Sequence, residues 1–450
     1  MQSFRERLCA FYSGKWYPLL AVLLALVGHT TGWDIAFFVI MVCTVLVGCI
    51  FTNDLRFAIT PFLCTVMFVT PEHSPNVPSY SDYYLQPLPL TVLVIAFSLI
   101  LIGVIIFGIR NRARAHRIPR KGLFVSIAVL CAAVCLNGIL NPNYTVENLL
   151  YALSFALALL GIYLLFAVFV RFDETISDYF MYCLVCIGML ISAQMLLTYA
   201  TTVQFANGAV VKESVVLGWG VWTTVGGVQA FLIPACFYFA AEHKRGWIFY
   251  LLGLLEALCT VLSQSRGAML VGGGTLVLCL VAVCFFGKNR KINRIITLCL
   301  VVVGIAGVIV LREQVIALLS NFINRGFNDN GRYELWEIGF KQFLSYPIFG
   351  SGFYDSGIVQ DWHIEVYPYF YHNTVVQILG STGVIGTLAY LWHRFCTVRL
   401  VLHTPSLFKS FLGIGILSLL AFCMLDVLLF ITYPLMFYAL MLLFMEKSDV

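Results

Sequence analysis

The chain is a succession of apolar runs separated by short polar stretches. A run of about 17–25 apolar residues is long enough to cross the hydrocarbon layer of a bilayer as a helix. On this basis we predict fourteen membrane spans, or twelve if one closely spaced early pair forms a re-entrant hairpin. The predicted spans are roughly 16–29, 33–51, 55–70, 88–109, 122–140, 149–170, 177–199, 219–241, 247–264, 267–286, 295–311, 373–393, 407–425 and 427–445.

The composition agrees with a membrane protein and excludes soluble classes. Of 450 residues, 61% are hydrophobic and 11% are charged, which is too little charge to cover the surface of soluble domains of this total length. The same scarcity excludes a nucleic-acid-binding protein. The fifteen cysteines lie almost all in apolar runs, where they act as small hydrophobic residues. The predicted fold class is all-α, a polytopic membrane helix bundle of 12–14 transmembrane helices with one long outer loop that contains short helices.

The positions of the cationic residues predict the orientation of the chain. With the amino terminus in the cytoplasm, 21 of the 27 Lys and Arg residues fall in cytoplasmic segments, as the positive-inside bias requires. Both termini are therefore predicted to be cytoplasmic. The cationic residues left on the outer side are Lys212, Arg266, Arg312, Arg325, Arg332 and Lys341. All but Lys212 lie in one tight turn or in one long polar loop.

That loop, residues 312–372, is the longest polar stretch of the chain and contains His363 and His372. Loops of about sixty residues usually carry function rather than simply connect two helices. We therefore divide the chain into amino-terminal helices 1–240, helices 241–311 with the tight turn, the outer loop 312–372, and carboxy-terminal helices 373–450.

Arg266 is held in the tight outer turn Ser265-Arg266-Gly267, between two apolar runs. An arginine at a membrane boundary can extend its side chain to lipid headgroups, and this alternative stays open on local grounds. Because the turn has only a few residues, the guanidinium is fixed just below the interface. Its planar fork of donors suits a phosphate better than a mobile lysine would.

Within the loop, the turn residues 328–331 precede a predicted helix that carries Arg332 in its first turn. The apolar positions of this helix are Leu335, Trp336, Gly339, Phe340 and Phe343. We expect this face to lie on the membrane. After Pro347, the turn that contains Gly350 and Gly352 lets the backbone approach a ligand closely.

His372 and Asn373 lie at the outer mouth of the next predicted span, beside an aromatic stretch. An imidazole there can accept a proton near neutral pH, although a lone interfacial histidine is usually structural. No two Asp residues are spaced i, i+2, and no HExxH or Cys/His cluster occurs, so we predict no metal and no cofactor. Any phosphate charge must then be bound by arginine.

In this order and on this predicted side, the motifs resemble the O-antigen ligase and polymerase family of bacterial membrane glycosyltransferases. The resemblance rests on Ser265-Arg266-Gly267, Gly331-Arg332 with Trp336, Pro347-Ile348-Phe349-Gly350-Ser351-Gly352, and His372-Asn373 with Gly380, Gly383 and Gly386. It covers about 247–445, whereas residues 1–240 agree only in being a series of spans. The possible two extra early spans depart from the twelve that are usual in the family.

The resemblance implies an inverting, metal-independent glycosyltransferase of the bacterial cytoplasmic membrane, with its active site facing the periplasm or exterior. The donor would be a glycan on an undecaprenyl-diphosphate carrier in the membrane lipid, and the acceptor a hydroxyl of a glycan, lipid or protein. The implied roles are diphosphate binding for Arg266 and Arg332, catalysis for His372, and support for Asn373, Gly350, Gly352 and Trp336.

Three other functions stay open at this point. The motifs do not separate ligase from polymerase, because both use the same donor and differ in acceptor; we favour a ligase. A transporter of polysaccharide or lipid is a rival of another class, and a structural membrane scaffold is the least favoured. Transporters place ionisable groups and broken helices near the bilayer midplane. Here Glu256 is the one clear mid-span acid, which we expect to bond a neighbouring helix, and no repeated halves are visible.

Overall fold

A computed structural model of the chain describes residues 2–70, 86–116, 122–206, 209–310, 331–354 and 369–448, together with 312, 313 and 316. Much of the predicted outer loop 312–372, including Arg325 and His363, lies outside these ranges, as do residues 71–85. The described residues form a bundle of α-helices, and their strands make two short antiparallel hairpins. The predicted all-α fold class is confirmed.

Most helices coincide with the predicted apolar runs. In chain order the α-helices are α1 (Gln2–Ser13), α2 (Trp16–Thr31), α3 (Asp34–Phe51), α4 (Ile59–Leu63), α5 (Pro87–Asn111), α6 (Leu123–Cys135), α7 (Val146–Ala156), α8 (Ile162–Phe169), α9 (Ile176–Thr201), α10 (Trp222–Glu242), α11 (Gly246–Leu262), α12 (Arg266–Phe285), α13 (Arg290–Val310), α14 (Arg332–Ser345), α15 (Thr374–Leu402), α16 (Leu407–Phe422) and α17 (Thr432–Lys447). A π-helical turn, Leu157–Gly161, joins α7 to α8. The hairpins pair β1 (Phe205–Ala206) with β2 (Ala209–Val210) and β3 (Val216–Leu217) with β4 (Gly220–Val221).

The helices meet the length and composition that a membrane requires. Eight described segments can cross a bilayer: α3, α5, α7 with α8, α9, α10, α12, α13 and α15. The number is nine if the bent pair α1 and α2 forms one span, and α6, α11 and α16 are shorter apolar helices. A polytopic membrane bundle is therefore present, as predicted. The total of 12–14 spans stays a prediction.

The predicted span 55–70 is wrong as a continuous helix. It begins with a 3-10 turn and the short α4, continues as turns, ends without regular secondary structure and is largely buried. Neighbouring helices supply hydrogen bonds to its unwound part: Gln194 Nε2 donates to Met67 O at 2.7 Å, and His29 Nδ1 lies 2.7 Å from Val69 O. Unwound backbone is tolerated at this depth because protein surrounds it.

Loops predicted to share one side of the membrane meet at the same end of the bundle. At the end that the charge pattern assigns to the cytoplasm, buried Arg56 pairs with Asp54 at 2.6 Å and with Asp173 at 2.5 Å. At the opposite end, Tyr199 donates to the carbonyl of Leu262 at 2.6 Å. Which end faces the cytoplasm stays a prediction.

The core is built around α10. In the 18-residue apolar stretch of α10, 94% of the residues are buried, whereas in that of α13 only 6% are buried. Helix α10 is therefore central in the bundle and α13 is peripheral. Glu256 of α11 is fully buried and accepts a hydrogen bond from Cys236 Sγ of α10 at 3.4 Å. The mid-span acid thus bonds a neighbouring helix, as expected. Helix α10 also packs on α16 and on α12, the helix that begins at Arg266.

Candidate active site

The predicted catalytic residue His372 lies just before α15, and its imidazole faces Asp426. Nδ1 of His372 is 3.1 Å from Oδ1 of Asp426. The side chain of Asp426 is 8% exposed, whereas that of His372 is 42% exposed. Because an ionised carboxylate only accepts hydrogen bonds, the pairing assigns the proton of a neutral imidazole to Nδ1. The lone pair of Nε2 is then available to a substrate.

Asn373 fixes this position of His372 by capping α15. Its Oδ1 accepts the N–H groups of Val375 and Val376 at 2.9 and 3.2 Å. Its Nδ2 donates to the carbonyl of Met424 at 3.0 Å. The start of α15 is thereby attached to the turn that follows α16.

The backbone is left-handed next to both predicted site regions. His372 has a φ of 51°, and Gln264, two residues before Arg266, has a φ of 59°. Such values are uncommon for residues other than glycine and tend to cluster at functional sites. Among the other non-glycine residues that the structure describes, only Thr404 shares the feature. Packing therefore holds both regions in a conformation that the free chain disfavours.

Arg266 is the first residue of α12 and lies beside the same turn. Ser265 caps the helix, and its Oγ accepts a backbone N–H of the first turn at 3.3 Å. A Cβ atom at Gly267 would lie 3.2 Å from Leu425 Cδ1. The start of α12 therefore packs on the turn after α16, to which His372 is also bonded.

Arg332 begins α14, which packs on the first half of α15. A Cβ atom at Gly339 of α14 would lie 2.5 Å from Val376 Cγ1. Burial raises the pKa of Tyr369, in the stretch that leads to α15, and the nearby carboxylate of Glu334 raises it further. Within the described ranges the side chain of Arg332 forms no hydrogen bond or ion pair, and α14 brings it to this end of the bundle.

Part of the apolar face of α14 is buried in the bundle, whereas we expected the whole face to lie on the membrane. Leu335 and Gly339 are buried in the bundle, whereas Phe340 and Leu344 are exposed. The expectation was wrong for the two buried positions, because a glycine at 339 lets α15 approach closely.

Trp336 is partly buried on the same helix, with its ring centroid 5.3 Å from that of Tyr333. The indole Nε1 of Trp336 and the hydroxyl of Tyr369 are buried and have no hydrogen-bond partner within the described residues. A buried polar group without a partner costs about 1–3 kcal/mol. Both groups are therefore candidates to bind a ligand.

These residues coincide with a known family region. Residues 248–391 match the family model described as O-antigen ligase. The family resemblance predicted from the motifs is confirmed. The O-antigen ligase region contains every site residue predicted from the sequence, whereas Asp426 and the residues before 248 lie outside it. No curated protein matches the chain.

Within the O-antigen ligase region, Gly350 and Gly352 approach protein backbone and side chains. Their φ angles are 71° and 95°, in the left-handed region. A Cβ atom at Gly350 would overlap the main chain of Ser381, next to the interruption of α15 at Gly383. One at Gly352 would lie 2.5 Å from Asn148 Oδ1. The backbone of this turn thus approaches α15 and α7 closely. That it also approaches a ligand stays a prediction.

In the part of the chain that the structure describes, no three His, Cys, Asp or Glu side chains are grouped so that they could hold a metal ion. Metal independence of the O-antigen ligase region stays a prediction, to be tested with a chelator.

Sequence reasoning missed Asp426. This residue lies alone between the predicted spans 407–425 and 427–445, on the side that carries Arg266 and His372. A carboxylate at a span boundary on that side was an available signal. The apolar pattern contains no information that it would face a histidine 54 residues earlier in the chain.

Proposed function

We propose that the chain is a membrane glycosyltransferase of the O-antigen ligase type. It moves a glycan from an undecaprenyl-diphosphate carrier to an acceptor hydroxyl at the outer face of the bacterial cytoplasmic membrane, with inversion and without a metal. The observation that carries the proposal is the pairing of His372 with buried Asp426 at the end of the bundle where Arg266 and Arg332 also lie.

In this proposal His372 is the general base. Its Nε2 takes the proton of the acceptor hydroxyl while the hydroxyl oxygen forms its bond to the anomeric carbon. The carboxylate of Asp426 fixes the tautomer and the orientation of the ring, and it stabilises the imidazolium that forms. General-base catalysis typically contributes about 10²–10⁴ in rate.

Arg266 and Arg332 bind the diphosphate of the carrier. When the bond between the anomeric carbon and the diphosphate oxygen breaks, the electron pair goes to the diphosphate, and positioned guanidiniums stabilise its charge. Each arginine is the first residue of a helix, where unpaired backbone N–H groups add positive potential. The products are the glycosylated acceptor, the polyprenyl diphosphate and a proton that leaves through His372.

The glycan lies against Trp336 and Tyr369. Aromatic side chains with a polar group suit sugars, because the ring covers the apolar face of the sugar and the polar group bonds a hydroxyl. The buried Nε1 of Trp336 and Oη of Tyr369, both without partners in the described residues, fit this requirement.

The test is reconstitution of the purified chain in liposomes with a carrier-linked glycan. Acceptors are supplied separately: a lipid-linked core oligosaccharide, a protein fraction, or a second carrier-linked repeat unit. We expect release of polyprenyl diphosphate with the glycan on the lipid or protein. Growth of the carrier-linked repeat alone would assign a polymerase. Movement of intact donor across the bilayer, with no transfer to any acceptor, would overturn the proposal in favour of a transporter.

A further inference from the structure

Arg394 directs its charge into the bundle rather than toward an end of it. It lies just past the predicted span 373–393, yet α15 continues to Leu402. An arginine near a membrane boundary normally extends toward the headgroups of the nearer interface. Here the guanidinium carbon lies 4.6 Å from the ring centroid of Tyr390, one turn earlier in α15, and 4.9 Å from that of Tyr438 in α17. The side chain therefore points back into the bundle.

Arg394 lines a small cavity inside the bundle. The cavity measures about 10 Å³, which is room for one water molecule or one monatomic ion. Apart from Arg394 and two tyrosines, its lining consists of leucine, isoleucine and phenylalanine side chains. Two of these, Ile378 and Phe430, follow His372 and Asp426 closely in the chain. The cavity thus lies below the candidate active site, between its supporting helices.

Within the described residues, no carboxylate pairs with this guanidinium. Nε and Nη1 of Arg394 are buried and have no hydrogen-bond partner there, and none of the ion pairs includes Arg394. The hydroxyl of Tyr438 already lies 2.9 Å from His393 Nε2 and 3.2 Å from Thr397 Oγ1, and it carries no charge that could neutralise a cation. The two tyrosine rings offset part of the cost of burying the guanidinium. A buried charge still requires an opposite charge and acceptors for its N–H groups.

We propose that the cavity binds a single halide ion, chloride in the cell, which neutralises Arg394. A water molecule could accept one of the N–H groups, but it could not supply the charge. Phosphate and carboxylate groups are too large for a cavity of this size, whereas a monatomic anion fits it. The bound ion would hold α15 and α17 together next to Phe430, which is four residues from Asp426. This inference does not depend on the proposed glycosyltransferase activity.

The first test measures thermal unfolding of the purified chain in detergent. The protein is placed in sodium chloride, sodium bromide or sodium gluconate at equal ionic strength, because gluconate is monovalent but too large for the cavity. The wild type is compared with Arg394→Met, which keeps a long side chain and removes the charge. Arg399→Gln is the matched control, since Arg399 is exposed in the last turn of the same helix.

We expect the Tm of the wild type to be a few degrees higher in chloride and bromide than in gluconate, because an ion that binds only the folded state stabilises it. Arg399→Gln should show the same dependence. Arg394→Met should unfold at one temperature in all three salts, whatever that temperature is. Equal Tm values of the wild type in the three salts, or a halide dependence that persists in Arg394→Met, would overturn the proposal.

The second test needs no variant, so it stands even if Arg394→Met does not fold. The wild-type chain is dialysed to equilibrium against radiolabelled chloride, and crystals grown in bromide are used to locate the ion by its anomalous scattering. We expect saturable binding of one chloride per chain, competition by bromide but not by gluconate, and an anomalous peak beside Arg394. Absence of saturable binding would mean that the cavity holds water only, and a peak elsewhere would assign the ion to another site; either result would reject the proposal.

Discussion

Replacing Asp426 by asparagine isolates what the carboxylate charge contributes to His372. The substitution keeps the size of the side chain and an oxygen that can accept the N–H of Val427, which Asp426 Oδ1 accepts at 2.8 Å. It removes the negative charge that faces Nδ1 of His372 at 3.1 Å. We therefore expect Asp426→Asn to insert and to bind donor normally, but to transfer glycan more slowly.

The magnitude follows from the exposure of the pair. A hydrogen bond to a charged group contributes about 1.5–3 kcal/mol, which corresponds to about 10- to 150-fold in rate. Because the side chain of His372 is 42% exposed, water screens the interaction and favours the lower end, about tenfold in kcat. KM for the donor should stay constant. The assay is the initial rate of transfer in liposomes at several donor concentrations.

Two comparisons make this prediction decisive. If Asp426 acts through His372, Asp426→Asn should cost little more once His372→Gln is present, so the double-mutant cycle should be strongly non-additive. Asp178→Asn is the control, since Asp178 bonds Tyr238 at the opposite end of the bundle and should be dispensable for kcat. Additive losses, or wild-type rates in Asp426→Asn, would refute the reasoning.

Four other predictions follow from the site and the topology. Arg266→Lys and Arg332→Lys should each reduce transfer by at least about tenfold, because lysine keeps the charge but loses the planar fork; wild-type rates in both would mean that they only contact lipid headgroups. Activity should persist after chelation, and loss that a divalent ion restores would contradict the mechanism. A single cysteine in loop 312–372, in a background without other reactive cysteines, should react with an impermeant reagent outside intact cells, and one in 110–121 should not. Gly138→Ala should lower the free energy of unfolding by about 1–2 kcal/mol or more, because Gly138 has a φ of +64° and the added Cβ atom would lie 2.9 Å from the carbonyl oxygen of Ser351. An unchanged thermal unfolding temperature would count against that packing.

The helical fold could be predicted from the sequence because a bilayer leaves a chain few alternatives. Apolar runs in lipid must satisfy their backbone hydrogen bonds internally, so most of them are helices. The segment 55–70 escapes this rule, since Gln194 and His29 of other helices bond part of its unwound backbone. Those partners lie far away in the chain, and the apolar pattern of one segment cannot reveal them.

The candidate site shows the same division between local and long-range information. The helix that carries Arg332 in its first turn follows from local turn signals and occurs as predicted, and Arg266 and Asn373 lie at the start of predicted apolar spans that are helices. The partner of His372 is Asp426, and the partner of the Gly350 turn is the interruption of α15. Both are tertiary contacts between segments distant in the chain. Such contacts produce no periodic pattern of apolar residues in the sequence.

The central claim is that His372 removes the proton of the acceptor in glycan transfer. The most direct measurement is single-turnover transfer by His372→Gln, reconstituted in liposomes with a carrier-linked glycan, together with donor binding by the same preparation. We predict wild-type donor affinity and a transfer rate lower by about 10²–10⁴, because glutamine can fill the space but cannot take up the proton. Wild-type transfer by a well-inserted, donor-binding His372→Gln would contradict the claim.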